Sequence, residues 1–143
     1  MNDLDALRRF FEQDIPFNAW LGVKVDALSE GTCVLRVPGR RELTGDPSRP
    51  ALHGGVLSTV ADAAGGLAVF SRLDLSHACS TVDLRVDYLR PGHPDRDLLC
   101  GAEVVRLGNR VAVTTADLWQ DDPAQPIAQA RAVYNIIRRG REG

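Results

Sequence analysis

Leu4, Leu7, Phe10 and Phe11 recur at spacings of three and four, the apolar stripe of a short N-terminal helix over 3–13 with Arg8, Arg9 and Glu12 turned outward. Pro16 ends that helix, and Phe17, Trp20 and Leu21 predict a further turn closing at Gly22. Two strands, 23–28 and 32–37, then form a hairpin around Ser29-Glu30-Gly31. The polar stretch 38–50, PGRRELTGDPSRP, is longer than an ordinary connection, and such length usually serves function or stays disordered. It leads into ALHGGVLSTVADAAGGLAVFSRL, whose small apolar residues cover nearly every helical face and predict a helix buried on most sides.

Strands dominate the remainder. Residues 80–90 alternate strictly, with Val82, Leu84, Val86 and Tyr88 on one face and Thr81, Asp83, Arg85 and Asp87 on the other. The segments 98–107 and 110–119 flank Gly108-Asn109, a two-residue hairpin signal, and 127–137 follows the turn QDDPAQP. The charged tail, 139–143, is expected to fray. Without repeats or a linker, 1–143 reads as a single α+β domain in which a curved antiparallel sheet of about six strands wraps one long central helix.

Composition narrows the function. The 143 residues are 44% hydrophobic and 25% charged, ordinary for a globular domain. Seventeen basic residues oppose nineteen acidic ones, so no broad cationic face exists for nucleic acid. All the basic residues but Lys24 are Arg, the better side chain for forking onto phosphate. The charged N-terminus lacks the features of a secretory signal, and the stretch 51–70 is too interrupted to span a membrane, so a cytoplasmic protein is expected. Cys33, Cys79 and Cys100 are odd in number and lie in apolar surroundings, which reads as buried thiols. His77 and His93 read as surface loop residues. No His pair has metal-ligand spacing and no phosphate-loop glycine pattern occurs, so neither a metal nor a resident cofactor is expected.

The strongest chemical feature is Leu52-His53-Gly54-Gly55 running into the helix that carries Asp62, the one Asp, Glu, Lys or Arg between Arg49 and Arg72. A carboxylate among apolar residues is costly unless hydrogen-bonded or paired. Gly54 and Gly55 fall at the helix start, where free N–H groups and the positive dipole end can hold a carbonyl oxygen or oxyanion. Capping or orientation suits His53 better than proton transfer. Gly54 and Asp62 lie eight residues apart, roughly 12 Å along a helix, so one chain cannot close a site from both. Two antiparallel copies about a twofold axis can, which predicts an obligate homodimer with two equivalent sites.

LHGGVLSTVADAAGG followed by STVDLRVDYLRPG and two long strands around Gly-Asn resembles the hotdog-fold acyl-CoA thioesterases of the phenylacetate-degradation (PaaI-like) type, over about residues 15–138. The resemblance implies hydrolysis of an acyl-CoA to free acid and coenzyme A by a homodimer, often paired into a homotetramer. It implies that Gly54 offers its N–H to the thioester carbonyl while Gly55 supports the turn and His53 braces the loop. Asp62 would come from the other subunit as general base or nucleophile, with Thr81 placing the water or the carboxylate. One position departs: where the family commonly carries Asn or Gln, this chain has Pro47. Arg90, Arg106, Arg110, Arg138 and Arg139 are candidates for the coenzyme A phosphates. Phe17, Trp20, Leu21, Leu57 and Phe70 could line a pocket for an aryl or medium-chain acyl group. Two rival readings are a hotdog dehydratase, against which the single carboxylate argues, and a non-catalytic acyl-CoA binder or sensor.

Overall fold

The small apolar residues of 54–70 do form one buried helix, α3 (Gly54–Phe70), whose Val60, Ala64, Leu67, Ala68 and Val69 are fully enclosed. Around it lies an antiparallel sheet made by β1 (Lys24–Ser29), β2 (Thr32–Val37), β5 (His77–Tyr88), β6 (Leu98–Leu107), β7 (Val111–Trp119) and β8 (Ala128–Arg138), in the order β1-β2-β6-β7-β8-β5. The computed structural model describes residues 3–74 and 76–139, so the tail expected to fray lies, past Arg139, outside the described residues. Inward residues of the strands, among them Leu35, Val37, Leu98, Cys100 and Leu118, close over α3 to form the core. Gly65 permits the closest helix-to-sheet approach: a Cβ there would collide with the Tyr134 hydroxyl of β8 and the Thr114 hydroxyl of β7.

The N-terminal arm differs in detail from the expected single helix. It comprises α1 (Leu4–Arg9), capped by the Asp3 carboxylate, a π-turn over Phe10–Asp14, and α2 (Pro16–Leu21), which ends at Gly22 in the left-handed conformation, φ 85°. Arg8 and Glu12 are not turned to solvent. Arg8 donates to the Val25 carbonyl and Glu12 accepts from the Val25 N–H at 2.8 Å, so the two side chains occupy backbone groups that edge strand β1 would otherwise leave open. Phe11 is buried, while Phe10 lies 42% exposed.

The long loop also holds structure that its polar composition hid. After a 3-10 turn at Arg41–Leu43, β3 (Thr44–Asp46) pairs with β4 (Ala51–Leu52) in a two-stranded sheet. The turn between them is held by Asp46, which accepts from the Ser48 N–H at 2.9 Å, the Ser48 hydroxyl at 2.6 Å and Arg49 at 3.1 Å. Bonds from Leu52 N–H to the Gly92 carbonyl (2.9 Å) and from His53 N–H to the Leu43 carbonyl (2.8 Å) then fix the entry into α3.

Strand β5 corrects the sequence reading most usefully. Its register against β8 shifts between Thr81 and Asp83, leaving Val82 as the extra residue of a bulge. A one-residue insertion reverses side-chain parity, so Thr81 shares the inner face with Leu84 and Tyr88, while Val82 is turned out at 65% exposure. Among the described residues no helix is long and apolar enough to cross a membrane.

Candidate active site

His53 is the N-cap of α3, and its backbone is extended there (φ −62°, ψ 128°). Its Nδ1 accepts the Gly55 N–H at 2.8 Å, which places any proton of the neutral ring on Nε2 and assigns the side chain to capping. The Val56 N–H reaches the His53 carbonyl at 3.0 Å. The Gly54 N–H is then left without an acceptor among the described residues, at the positive end of a 17-residue helix. Neither Gly54 nor Gly55 has positive φ, so what they provide is space. A Cβ on Gly55 would sit 2.9 Å from the His53 ring, and one on Gly54 would sit 3.3 Å from Tyr88. The Tyr88 hydroxyl donates to the Gly54 carbonyl at 3.2 Å and pins the helix start to the end of β5.

Two turns along the same helix stands half-buried Asp62. The Thr81 hydroxyl donates to its Oδ1 at 2.6 Å, and Oδ2 has no protein partner among the described residues. Tyr134 donates its hydroxyl to the Asp62 carbonyl at 2.7 Å, bracing the helix at that residue. Burial, followed by the Asp62 charge, pushes the Tyr134 hydroxyl above its ordinary value. The same two causes push the neighbouring Cys79 thiol up to about 12, which disfavours its thiolate near neutral pH. Cys33 and Cys100 are buried free thiols, as expected.

Asp62 and Thr81 open onto a cavity of about 360 Å³ whose remaining walls are largely apolar: Phe11, Ile15, Phe17, Ala63, Phe70 and Tyr134 among them. Of the five residues expected there, Phe17 and Phe70 take part. Leu21 and Leu57 are consumed by the core, and Trp20 stands outside the lining at 68% exposure. Tyr134 and Ile15 were not singled out from sequence, and Phe11 and Tyr88 were read only as apolar-face residues, because nothing in a strand or helix pattern says which side chain will meet a helix twenty or more residues away.

The candidate residues thus fall into two groups on one helix: His53, Gly54 and Gly55 at its start, Asp62 with Thr81 roughly 12 Å further along. The arginines separate as well. Arg90 lines a cleft of about 340 Å³ with His93 and Arg96 beyond the end of β5. Arg110 and Arg138 line another of about 530 Å³ with His77, at the opposite end of that strand, where His77 pairs with Arg138. Arg106 and Arg139 are exposed and line neither of these clefts. His77 opens β5 instead of lying in a loop, and its ring meets Asp74 at 2.8 Å. Pro47 is exposed in the turn held by Asp46, and no side-chain amide stands there.

Comparison with known proteins agrees with this architecture. Residues 50–127 match the family model described as the thioesterase superfamily. A putative esterase of Halobacterium salinarum is 37% identical, covering 96% of this chain and 95% of its own. A medium/long-chain acyl-CoA thioesterase, YigI of Salmonella typhimurium, is 32% identical over 93% of each chain. The crystal structure of a thioesterase family protein from Silicibacter pomeroyi superposes with a TM-score of 0.83 at 31% identity, covering 94% of this chain and 98% of that one. With the six-stranded sheet around one long helix, these similarities carry the expectation of a thioester hydrolase as far as the family: the chain belongs to the thioesterase superfamily and has its hotdog fold.

Proposed function

We propose that this protein hydrolyses acyl-CoA thioesters, with medium-chain aliphatic acyl groups as the best substrates, at sites shared by two subunits of a homodimer. The observation that carries the reading is the 2.6 Å bond from Thr81 to Asp62, which fixes one carboxylate oxygen and leaves the other without a partner among the described residues, in the lining of a largely apolar cavity. Similarity to the medium/long-chain acyl-CoA thioesterase YigI favours an aliphatic over an aryl group.

A carboxylate in that position can take the proton of a water whose oxygen attacks the thioester carbonyl. The C–O bond forms, the oxyanion is held by a helix N-terminal N–H, and collapse breaks the C–S bond. The leaving thiolate recovers the proton, and free acid and coenzyme A result. Direct attack by Oδ2 on the carbonyl, followed by hydrolysis of the anhydride, uses the same groups. Neither route asks for a metal or a resident cofactor, and an acyl-CoA substrate suits a cytoplasmic enzyme.

The Gly54 N–H that holds the oxyanion is taken from the second subunit, since Asp62 lies too far along its own helix. Strand β5 supports that pairing. It is an edge strand, bonded among the described residues to β8 alone, and it exposes Val82 at 65% and Tyr88 at 55%. Antiparallel pairing of β5 with its own copy, centred around Leu84, brings each Thr81 toward the other subunit's Tyr88 and the helix start that Tyr88 pins. The same symmetry carries Arg90 of one subunit toward the end of β5 near Arg110 and Arg138 of the other, where coenzyme A phosphates would find both. A homotetramer would pair two such dimers.

Release of free thiol from a panel of acyl-CoAs by the wild type and by Asp62→Asn tests the reading. Turnover by the wild type that falls at least about a hundredfold in the variant, with melting temperature and dimer unchanged, is expected. Residual turnover within about threefold of wild type would overturn the role of Asp62. Binding of the same compounds without any turnover would make the protein an acyl-CoA binder.

A further inference from the structure

We propose that the N-terminal arm measures the acyl chain, with Phe17 of the cavity lining as the specificity-determining residue; this rests on the acyl-CoA reading above. The cavity follows one face of α3, since Thr59, Asp62, Ala63, Gly66 and Phe70 recur at helical spacing along its lining. From Asp62 to Phe70 that stripe is eight residues, roughly 12 Å. The length suits a medium acyl chain and falls short of a long one.

What stops the cavity comes from the arm. The Phe11 ring packs edge-on against Phe70 at 5.9 Å, and Ile15 and Phe17 of the arm also enter the lining. Phe11 is 4% exposed and belongs to the core, so it forms a fixed wall. Phe17 is 55% exposed and is held by stacking on Trp20, at 5.9 Å and 11° between planes. Arg40 in turn lies over Trp20 at 5.5 Å, anchored by donating to the Leu21 carbonyl at 2.8 Å and the Trp20 carbonyl at 3.2 Å. Phe17 is therefore a bulky lining group held by surface contacts and not by the core. Its backbone is nonetheless fixed: buried Asn18 donates to the Phe11 carbonyl at 3.1 Å, tying α2 to the π-turn. A side chain that can change without loosening the arm is the place where chain preference can be set.

The test is the ratio of kcat/KM on palmitoyl-CoA to that on octanoyl-CoA, for the wild type, Phe17→Ala, Phe17→Trp and Trp20→Ala. Phe17→Ala is expected to raise the ratio at least tenfold and Phe17→Trp to lower it. Trp20→Ala, which removes the stacking partner without touching the lining, is expected to raise it less than Phe17→Ala does. A merely structural role for Phe17 would lower both values together and leave the ratio unchanged, and that result overturns the proposal. If the wild type cleaves no acyl-CoA, the function proposed above fails on its own. The arm is then judged by affinities for non-hydrolysable S-alkyl-CoA thioethers, where a chain-length profile unmoved by Phe17→Ala would overturn it.

Discussion

At Thr81 a single hydroxyl decides how the carboxylate is presented. A hydrogen bond to a charged group is worth about 1.5–3 kcal/mol, and a rate falls tenfold for each ~1.4 kcal/mol lost in the transition state. Asp62 is half-buried and water competes for it, so the lower value applies. Thr81→Val, which keeps shape and removes the donor, is expected to cut kcat about tenfold on every acyl-CoA, with KM little changed. Thr81→Ser should retain most of the rate. An unchanged kcat in Thr81→Val, measured under saturation, would reduce the 2.6 Å contact to a structural one. Asp62 itself was legible in the sequence because an isolated carboxylate in a neutral run demands a partner. The alternation alone did not single out that partner, since Asp83, Arg85 and Asp87 share Thr81's face in the linear pattern; the family resemblance pointed to Thr81, and its hydroxyl meets Asp62 at 2.6 Å.

The reason belongs to the elements. Period-two alternation placed β5 correctly as a strand and assigned Leu84 and Tyr88 to the inner face, but a bulge leaves no mark in such a pattern. The extra residue, Val82, is what turns Thr81 inward, so the site depends on an irregularity that hydrophobic periodicity averages away. The same limit hid β3 and β4, two strands of three and two residues inside a polar loop. Helix α3 was the clearest element, because small residues on every side have no other explanation than burial. Its glycines differ in what they tolerate. A Cβ on Gly65 would collide with the Tyr134 hydroxyl, whereas one on Gly66 meets the Tyr134 ring at an ordinary 3.7 Å. Overpacking of this kind costs typically 1–3 kcal/mol, and Gly65→Ala is expected to lower Tm by several degrees. Gly66→Ala should be neutral or slightly stabilising, as alanine gains up to about 1 kcal/mol over glycine in a helix interior. Thermal unfolding followed by circular dichroism separates the two, and equal Tm values for both variants would contradict the packing described at Gly65.

For the whole molecule the governing fact is a length. Gly54 and Asp62 sit on one rigid helix, roughly 12 Å apart, so no side-chain motion brings them to one carbonyl, and the proposed site takes the missing group from a second subunit. That requirement can be tested without seeing the interface. Gly54→Pro removes the N–H at the first helical position, where proline fits and where the extended His53 backbone before it is compatible. Asp62→Asn removes the carboxylate. Each variant alone is expected to be inactive. Co-expressed in equal amounts, they should pair at random, so that half the dimers are mixed and each mixed dimer holds one intact site, with Asp62 from one chain and Gly54 from the other. Recovery of about a quarter of the wild-type rate per subunit follows from that count. A site closed within one chain gives no recovery at any mixing ratio. Recovery near a quarter, rising and falling with the fraction of mixed dimer, would show that each site takes its carboxylate from one subunit and its helix N–H from the other.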